Sequence, residues 1–162
     1  MSKAVRIVAT DLHDPAHAAA FVSLLDAYAR DPMGGGKGLP EAVRAALPQR
    51  LADRAGFVSF LAFAGDDAVG LINCFEGFST FAAQSLLNVH DIAVLPSHRR
   101  HGIARALLKA AEDAARQRGC CKLTLEVLSS NHAAMTAYVK QGFAPYELDP
   151  AAGQAVFLQK WL

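Results

Sequence analysis

Between residues 4 and 9 the apolar Val5, Ile7 and Ala9 alternate against Arg6 and Val8, the two-residue period of a short strand. From Asp14 the period lengthens to that of a helix. Asp14 is placed to cap it, Pro15 takes a first-turn position, and Phe21, Leu24, Leu25 and Tyr28 share one face. Asp31-Pro32 and the glycines Gly34, Gly35, Gly36 and Gly38 stop this helix near Arg30. A second helix is expected from about Pro40 to Arg54, with Val43, Leu47 and Leu51 as its stripe and Pro48 kinking or splitting it. Phe57 to Ala64 and Ala68 to about Phe75, joined by Gly65-Asp66-Asp67, predict an antiparallel hairpin, and Ser85 to Leu95 a long further strand. Gly102 to Arg118 is the clearest helix, with Ile103, Leu107, Ala110 and Ala114 on one face, Glu112 placed to meet Arg116 on the other, and Gly119 as its stop. A strand from Cys121 to Leu128 and a helix from Asn131 to Gln141 follow. Two last strands are expected around Phe143 to Leu148 and Gln154 to Trp161. The order βααβββαβαββ, without repeat or linker, predicts one mixed α/β (α+β) domain over residues 1–162.

Composition narrows the function classes. The 162 residues are 52% hydrophobic, but 32 of them are alanine, so the chain reads as globular. Its densest apolar stretch, Phe57 to Ala64, is interrupted by Ser59 and falls far short of the ~20 residues a spanning helix needs. The first ten residues hold no long apolar segment of the secretory type. Sixteen basic against fifteen acidic residues argue against a nucleic-acid binder or a polybasic membrane protein. Cys74 and the adjacent Cys120 and Cys121 form neither a CxxC pair nor a paired framework, so reduced thiols and a cytoplasmic location are expected, with no metal site.

The informative segment is a strand, Pro96, then Arg99-Arg100-His101-Gly102-Ile103-Ala104-Arg105 opening the long helix. Three arginines crowd a helix N-terminus that already carries about half a positive charge, a conflict that a bound anion resolves. Gly102 and the small Ala104 let backbone N–H groups approach such an anion closely. One strand later come Asn131, Ala134, Tyr138 and Gly142-Phe143. Singly, Asn131 reads as a helix cap and Tyr138 as a core residue.

Together, Arg99-x-x-Gly102-x-Ala104 after a strand, followed by Asn131, Ala134, Tyr138 and Gly142-Phe143 at this spacing, resemble the acetyl-coenzyme A-dependent N-acetyltransferases of the GNAT superfamily. The resemblance implies a mixed, mostly antiparallel sheet of about six to seven strands flanked by about four helices. It also implies acetyl-CoA as cofactor. Ile92, Ala93 and Val94 are then expected to offer backbone groups to the pantetheine arm, and Arg99, Arg100, His101, Gly102, Ile103, Ala104 and Arg105 to form the pyrophosphate loop. Asn131 is expected to touch the cofactor and Tyr138 to protonate the departing thiolate. Ala104 replaces the last glycine of the loop motif, and Arg100 stands where a glycine is common.

Acetyl transfer to an amine also needs the amine neutral, and a primary amine with a pKa of about 10 is largely protonated at pH 7. His90 and Asp91, on the strand that ends at the loop, are the candidate bases; strict alternation puts them on opposite faces, with His90 in the parity of Ile92 and Val94. Glu126 is a third candidate. A backbone N–H near Ile92 is expected to steady the developing oxyanion. The resemblance implies an acceptor site against the loop Asp31 to Gly38 and the segment Phe75 to Phe81; the glycine run lacks the strand, spacing and Ser/Thr of a phosphate loop and reads as a surface loop. Residues 1–80 hold seven basic and nine acidic residues and 81–162 nine and six, which suits a cationic small-molecule amine such as a polyamine or an amino-acid-like amine. The competing readings are an acyl-CoA-sensing module without turnover and an acetyltransferase of a protein amine. A homodimer through the apolar Trp161-Leu162 end is expected by analogy.

Overall fold

The computed structural model describes residues 4–146 and 149–162. Its backbone groups into two compact units, Met1–Leu128 and Ser129–Leu162. The first carries β1 (Val5–Ala9), α1 (Pro15–Arg30), α2 (Glu41–Ala52), β2 (Phe57–Ala64), β3 (Asp67–Ser79), β4 (Gln84–Val94), α3 (Ile103–Gln117) and β5 (Leu123–Leu125), and the second carries α4 (His132–Lys140). The strands pair in the order β1-β2-β3-β4-β5. The first four run antiparallel and β5 lies parallel to β4, the mixed, mostly antiparallel sheet of the expected α+β class.

The element order follows the pattern of the chain as far as α4. Asp14 Oδ1 caps α1 through the Ala16 amide at 2.8 Å, with Pro15 in the first turn. α2 is not split at Pro48, whose missing N–H orphans a carbonyl at the exposed Arg44, where water can satisfy it. Strand count is the correction: among the described residues the sheet has five strands, not six to seven. Of the expected strand at Phe143 to Leu148, residues 143–146 have no strand structure and residues 147 and 148 lie outside the described residues. The segment from Gln154 to Trp161 is also irregular, with Val156, Phe157, Leu158 and Trp161 exposed. Alternation gives a segment only the tendency to be a strand; a neighbouring strand must pair with it, and among the described residues none pairs with 143–146 or 154–161. No helix among the described residues is long and apolar enough to cross a membrane.

The two faces of the sheet carry different helices. On one, Phe21 and Leu24 of α1 are buried, Leu24 packing with Leu61 and Leu71 and Phe21 meeting the Phe57 ring edge-on. On the other lies α3, which buries Ile103, Leu107, Leu108, Ala111 and Ala115. Gly70 makes this second packing possible. A Cβ there would stand 3.0 Å from the Ala93 carbonyl oxygen and 3.3 Å from both Ile103 Cγ2 and Leu107 Cδ1. The first turn of α3 is therefore seated directly on β3. Gly70→Ala is expected to lower the unfolding free energy by about 1–3 kcal/mol through overpacking, measured as a lower urea midpoint at unchanged slope.

Cys74 is fully buried in β3, and burial, then the charge of Asp91, pushes its thiol up to about 12. It is a small apolar core residue in practice. Cys121 is exposed. At pH 8 an aromatic disulfide reagent is expected to label Cys121 in the native protein and Cys74 only after denaturant is added, as counted by absorbance and peptide mapping.

Candidate active site

The site is built around an irregularity in β4. Cys74 stands opposite Val89 and Asn73 opposite Asp91, so His90 is one residue more than β3 can pair. Such a bulge shifts the alternation beyond it. His90 and Asp91 consequently share the α1 side of the sheet: the His90 ring sits edge-on to Phe75 at 5.3 Å, and Asp91 Oδ2 accepts from Asn73 Nδ2 at 3.1 Å, Phe75 and Asn73 being two residues apart on β3. This corrects the expectation of opposite faces, which assumed an unbroken strand. His90 is exposed and Asp91 half-buried.

The same irregularity opens the other edge of β4. Its pairing with β5 joins Leu87, Asn88 and Val89 to Leu123, Thr124 and Leu125 and goes no further. Past the bulge, among the described residues, β4 has a strand on one side only. Leu95 donates to the Val69 carbonyl at 2.9 Å, so alternation along the antiparallel ladder turns the N–H and C=O of Ala93 toward β3 and those of Ile92 and Val94 toward the open edge. The Val94 carbonyl there accepts from Arg99 Nε at 3.0 Å.

The open edge leads to the start of α3. Gly102, at φ 78°, is its N-cap and provides no side-chain cap, and no acidic residue stands in the first turn. Ile103, Ala104 and Arg105 therefore begin the helix with amides that no cap satisfies. A Cβ on Gly102 would meet nothing within 4 Å, so the space beside this cap residue is open. Arg100 adopts φ 64°, the left-handed region, which is the backbone reason that a glycine suits its position. Arg100, His101 and Arg105 are exposed, and neither arginine has an acidic partner among the described residues. Arg99 is different. Its Nη2 reaches Asp31 Oδ2 at 2.8 Å, so its guanidinium faces protein groups and ties the cofactor-type loop to the turn after α1.

That turn is more ordered than a glycine-rich surface loop suggests. Asp31 Oδ1 accepts from the Met33 amide, the Gly34 and Gly36 amides return to the Asp31 carbonyl, and Lys37 donates to the Ala29 carbonyl. Asp26 takes the Leu39 amide at 2.7 Å and Arg30 Nε at 2.9 Å. Gly34 lies so close to α1 that a Cβ would stand 1.9 Å from the Tyr28 carbonyl oxygen. Tyr28 itself is held above the usual phenol range by burial, then by the charges of Asp91 and Asp31, and stays a neutral hydroxyl.

In the second unit, Asn131 Oδ1 caps α4 through the Ala134 amide at 3.2 Å, and Tyr138 is half-buried with its ring against Phe143 at 5.8 Å. The cap reading of Asn131 holds, whereas Tyr138 is half-buried and α4 buries no residue in a core.

Residues 21–143 match the model of the acetyltransferase (GNAT) family. The chain belongs to the GNAT family. Among relatives of this GNAT chain, streptothricin acetyltransferase of Streptomyces lavendulae is 41% identical over 92 residues, 57% of this chain and 49% of that protein. Thialysine N-epsilon-acetyltransferase of Caenorhabditis elegans is 30% identical over 102 residues, 57% of this chain and 63% of the other. The chain thus spans about half to two thirds of the length of these curated relatives. The fold of an aminoglycoside N-acetyltransferase solved with CoA matches with a TM-score of 0.78 at 19% identity, covering 99% of this chain and 97% of that one.

Of Ile92, Ala93 and Val94, it is Ile92 and Val94 whose backbone groups face the open edge. Glu126 is exposed, one residue past the end of β5. Sequence reading missed the bulge, the Arg99–Asp31 tie and Asn73. The signal for Asn73 was present: a lone amide within the apolar run from Ala68 to Phe75.

Hydrogen bonds from Arg30 and the Leu39 amide lower the Asp26 carboxyl, and those from Arg99 and the Met33 amide lower Asp31, both below the usual 3.8. A depressed folded pKa contributes stability present above the unfolded value and lost as pH falls through the folded one. Protection of the Met33 and Leu39 amides, measured by hydrogen exchange corrected for intrinsic rate, is therefore expected to hold from pH 7 to about 4 and fall below that. In Asp31→Ala, Met33 is expected to lose protection already at pH 7.

Proposed function

We propose that residues 1–162 form an N-acetyltransferase domain that moves the acetyl group of acetyl-CoA to the primary amine of a small cationic molecule, by direct attack with both substrates bound. The observation that carries this reading is the continuity of three features: the bulge at His90, the one-sided edge at Ile92 and Val94, and the uncapped start of α3. The residues fit the cofactor in kind. The Ile92 N–H and C=O and the Val94 N–H at the β4 edge suit the amide-bearing pantetheine arm, and helix amides flanked by Arg100 and Arg105 suit a pyrophosphate.

Acetyl-CoA supplies the acetyl group as a thioester. Asp91 attracts the substrate ammonium, and His90, exposed beside it, takes the proton that frees the nitrogen lone pair. The Ile92 N–H donates to the carbonyl oxygen as charge develops on it. Tyr138, by the family resemblance, gives a proton to the leaving sulfur. A C–N bond forms, the C–S bond breaks, and one proton per turnover passes to solvent. Support for a cationic acceptor is the Asp91 carboxylate beside the exposed His90, and the acceptors named in the streptothricin and thialysine relatives.

The test is thiol release from acetyl-CoA against polyamines, amino acids, aminoglycosides and a lysine peptide. Turnover is expected with one small cationic class, and Tyr138→Phe is expected to lower kcat about 100-fold with the KM for acetyl-CoA held. Acetyl-CoA binding without turnover on any amine overturns the catalytic reading, and turnover on the peptide alone overturns the small-molecule acceptor.

A further inference from the structure

Four polar side chains cross the α1-facing side of the sheet in a line, one from each of four neighbouring strands or strand ends. Thr10 Oγ1 lies 2.8 Å from Ser59 Oγ, Ser59 Oγ 2.9 Å from Asn73 Oδ1, and Asn73 Nδ2 3.1 Å from Asp91 Oδ2. Ser59 and Asn73 are 6% and 2% exposed, and they are the buried polar side chains of a core otherwise made of residues such as Leu61, Leu71 and Ile72. Among the described residues no buried side-chain N or O atom is left unpaired.

The line has a direction. Ser59 has one hydroxyl proton and donates it to Asn73 Oδ1, so Thr10 is the donor in the first link. With its oxygen held by Ser59, the Asn73 amide must present its NH2 to Asp91. Every donor thus points toward β4, and the line ends on a carboxylate at the one place where β3 and β4 fall out of register. A buried polar network is a poor way to add stability, since apolar side chains of the same shape do as well or better. What it does well is hold one geometry.

We propose that Asn73 is a positioning residue for Asp91, and that Ser59 and Thr10 fix the orientation of Asn73. The line anchors Oδ2 and leaves Oδ1, which has no hydrogen bond among the described residues, to meet the acceptor ammonium beside His90. The inference rests on the acetyltransfer reading, and it adds three residues, from β2, β3 and the position just after β1, that touch neither substrate.

The experiment is a double-mutant cycle on amine kcat/KM in the full chain, read by thiol release. Asn73→Ala is expected to lower kcat/KM for the amine about 10- to 100-fold, the scale of a small misplacement at a reacting centre, with the KM for acetyl-CoA unchanged. In an Asp91→Ala background the same substitution is expected to have no further effect, because its route to the reaction is already gone. Ser59→Ala is expected to behave likewise, and Ser59→Thr, which keeps the hydroxyl, to restore activity. If Asn73→Ala does not fold by thermal melting, the Ser59 arm decides. Additive losses, or equal losses in both KM values, overturn the positioning role while wild-type turnover keeps the acetyltransfer reading standing; absence of wild-type turnover overturns both.

Discussion

A β-strand whose neighbour is one residue shorter cannot remain a regular strand, and the site of this protein depends on that mismatch. With His90 unmatched, β4 changes its facing at that point, and two consecutive residues come to the same side. The pairing with β5 ends at the preceding residue. One local irregularity therefore separates a polar pair, His90 and Asp91, from a stretch of backbone that has hydrogen-bonding groups to offer. Neither would exist had β4 carried a continuous ladder on both edges.

Packing of α3 turns that backbone opening into a path toward a charged end. The helix start stands where Gly70 allows it to rest on β3, and Ile103, Leu107 and Ala111 anchor it there. Its dipole, its uncapped amides and Arg100 and Arg105, which have no acidic partner among the described residues, then add at one spot. Arg99 contributes differently: engaged by Val94 and Asp31, it is a strut between two loops, and the positive field over the helix start belongs to Arg100 and Arg105.

Periodicity and turn chemistry made most of this fold legible. The caps of α1, the hairpin of β2 and β3, the long β4 and the amphipathic α3 all follow from side chains at fixed spacing, because each is a local preference that the tertiary structure reinforces. The motif around Gly102 marked the loop for the same reason. What stayed hidden is non-local. The bulge at His90 is a count of residues on β4 against residues on β3, and nothing in either strand alone records it. The Arg99–Asp31 pair joins positions 68 residues apart. The apolar alternation near the C-terminal end has the look of a strand, yet Gln154 to Trp161 lacks a partner among the described residues. Asn73 and Ser59 were visible as polar intrusions in apolar runs, but their meaning required knowing that they are neighbours.

The line from Thr10 to Asp91 also bears on how the sheet assembles. Antiparallel strands with an apolar face can slip by two residues and still bury hydrophobic side chains, so hydrophobicity alone discriminates weakly among such alignments. Here each of four segments contributes one polar group at one position, and the groups meet only when all three pairings are in step. A slip of β3 against β2 or against β4 takes a partner from Asn73 and leaves buried polar groups unpaired, a cost of about 1–3 kcal/mol for each. The line thus acts as a lock on alignment, rejecting misaligned sheets before any substrate is present.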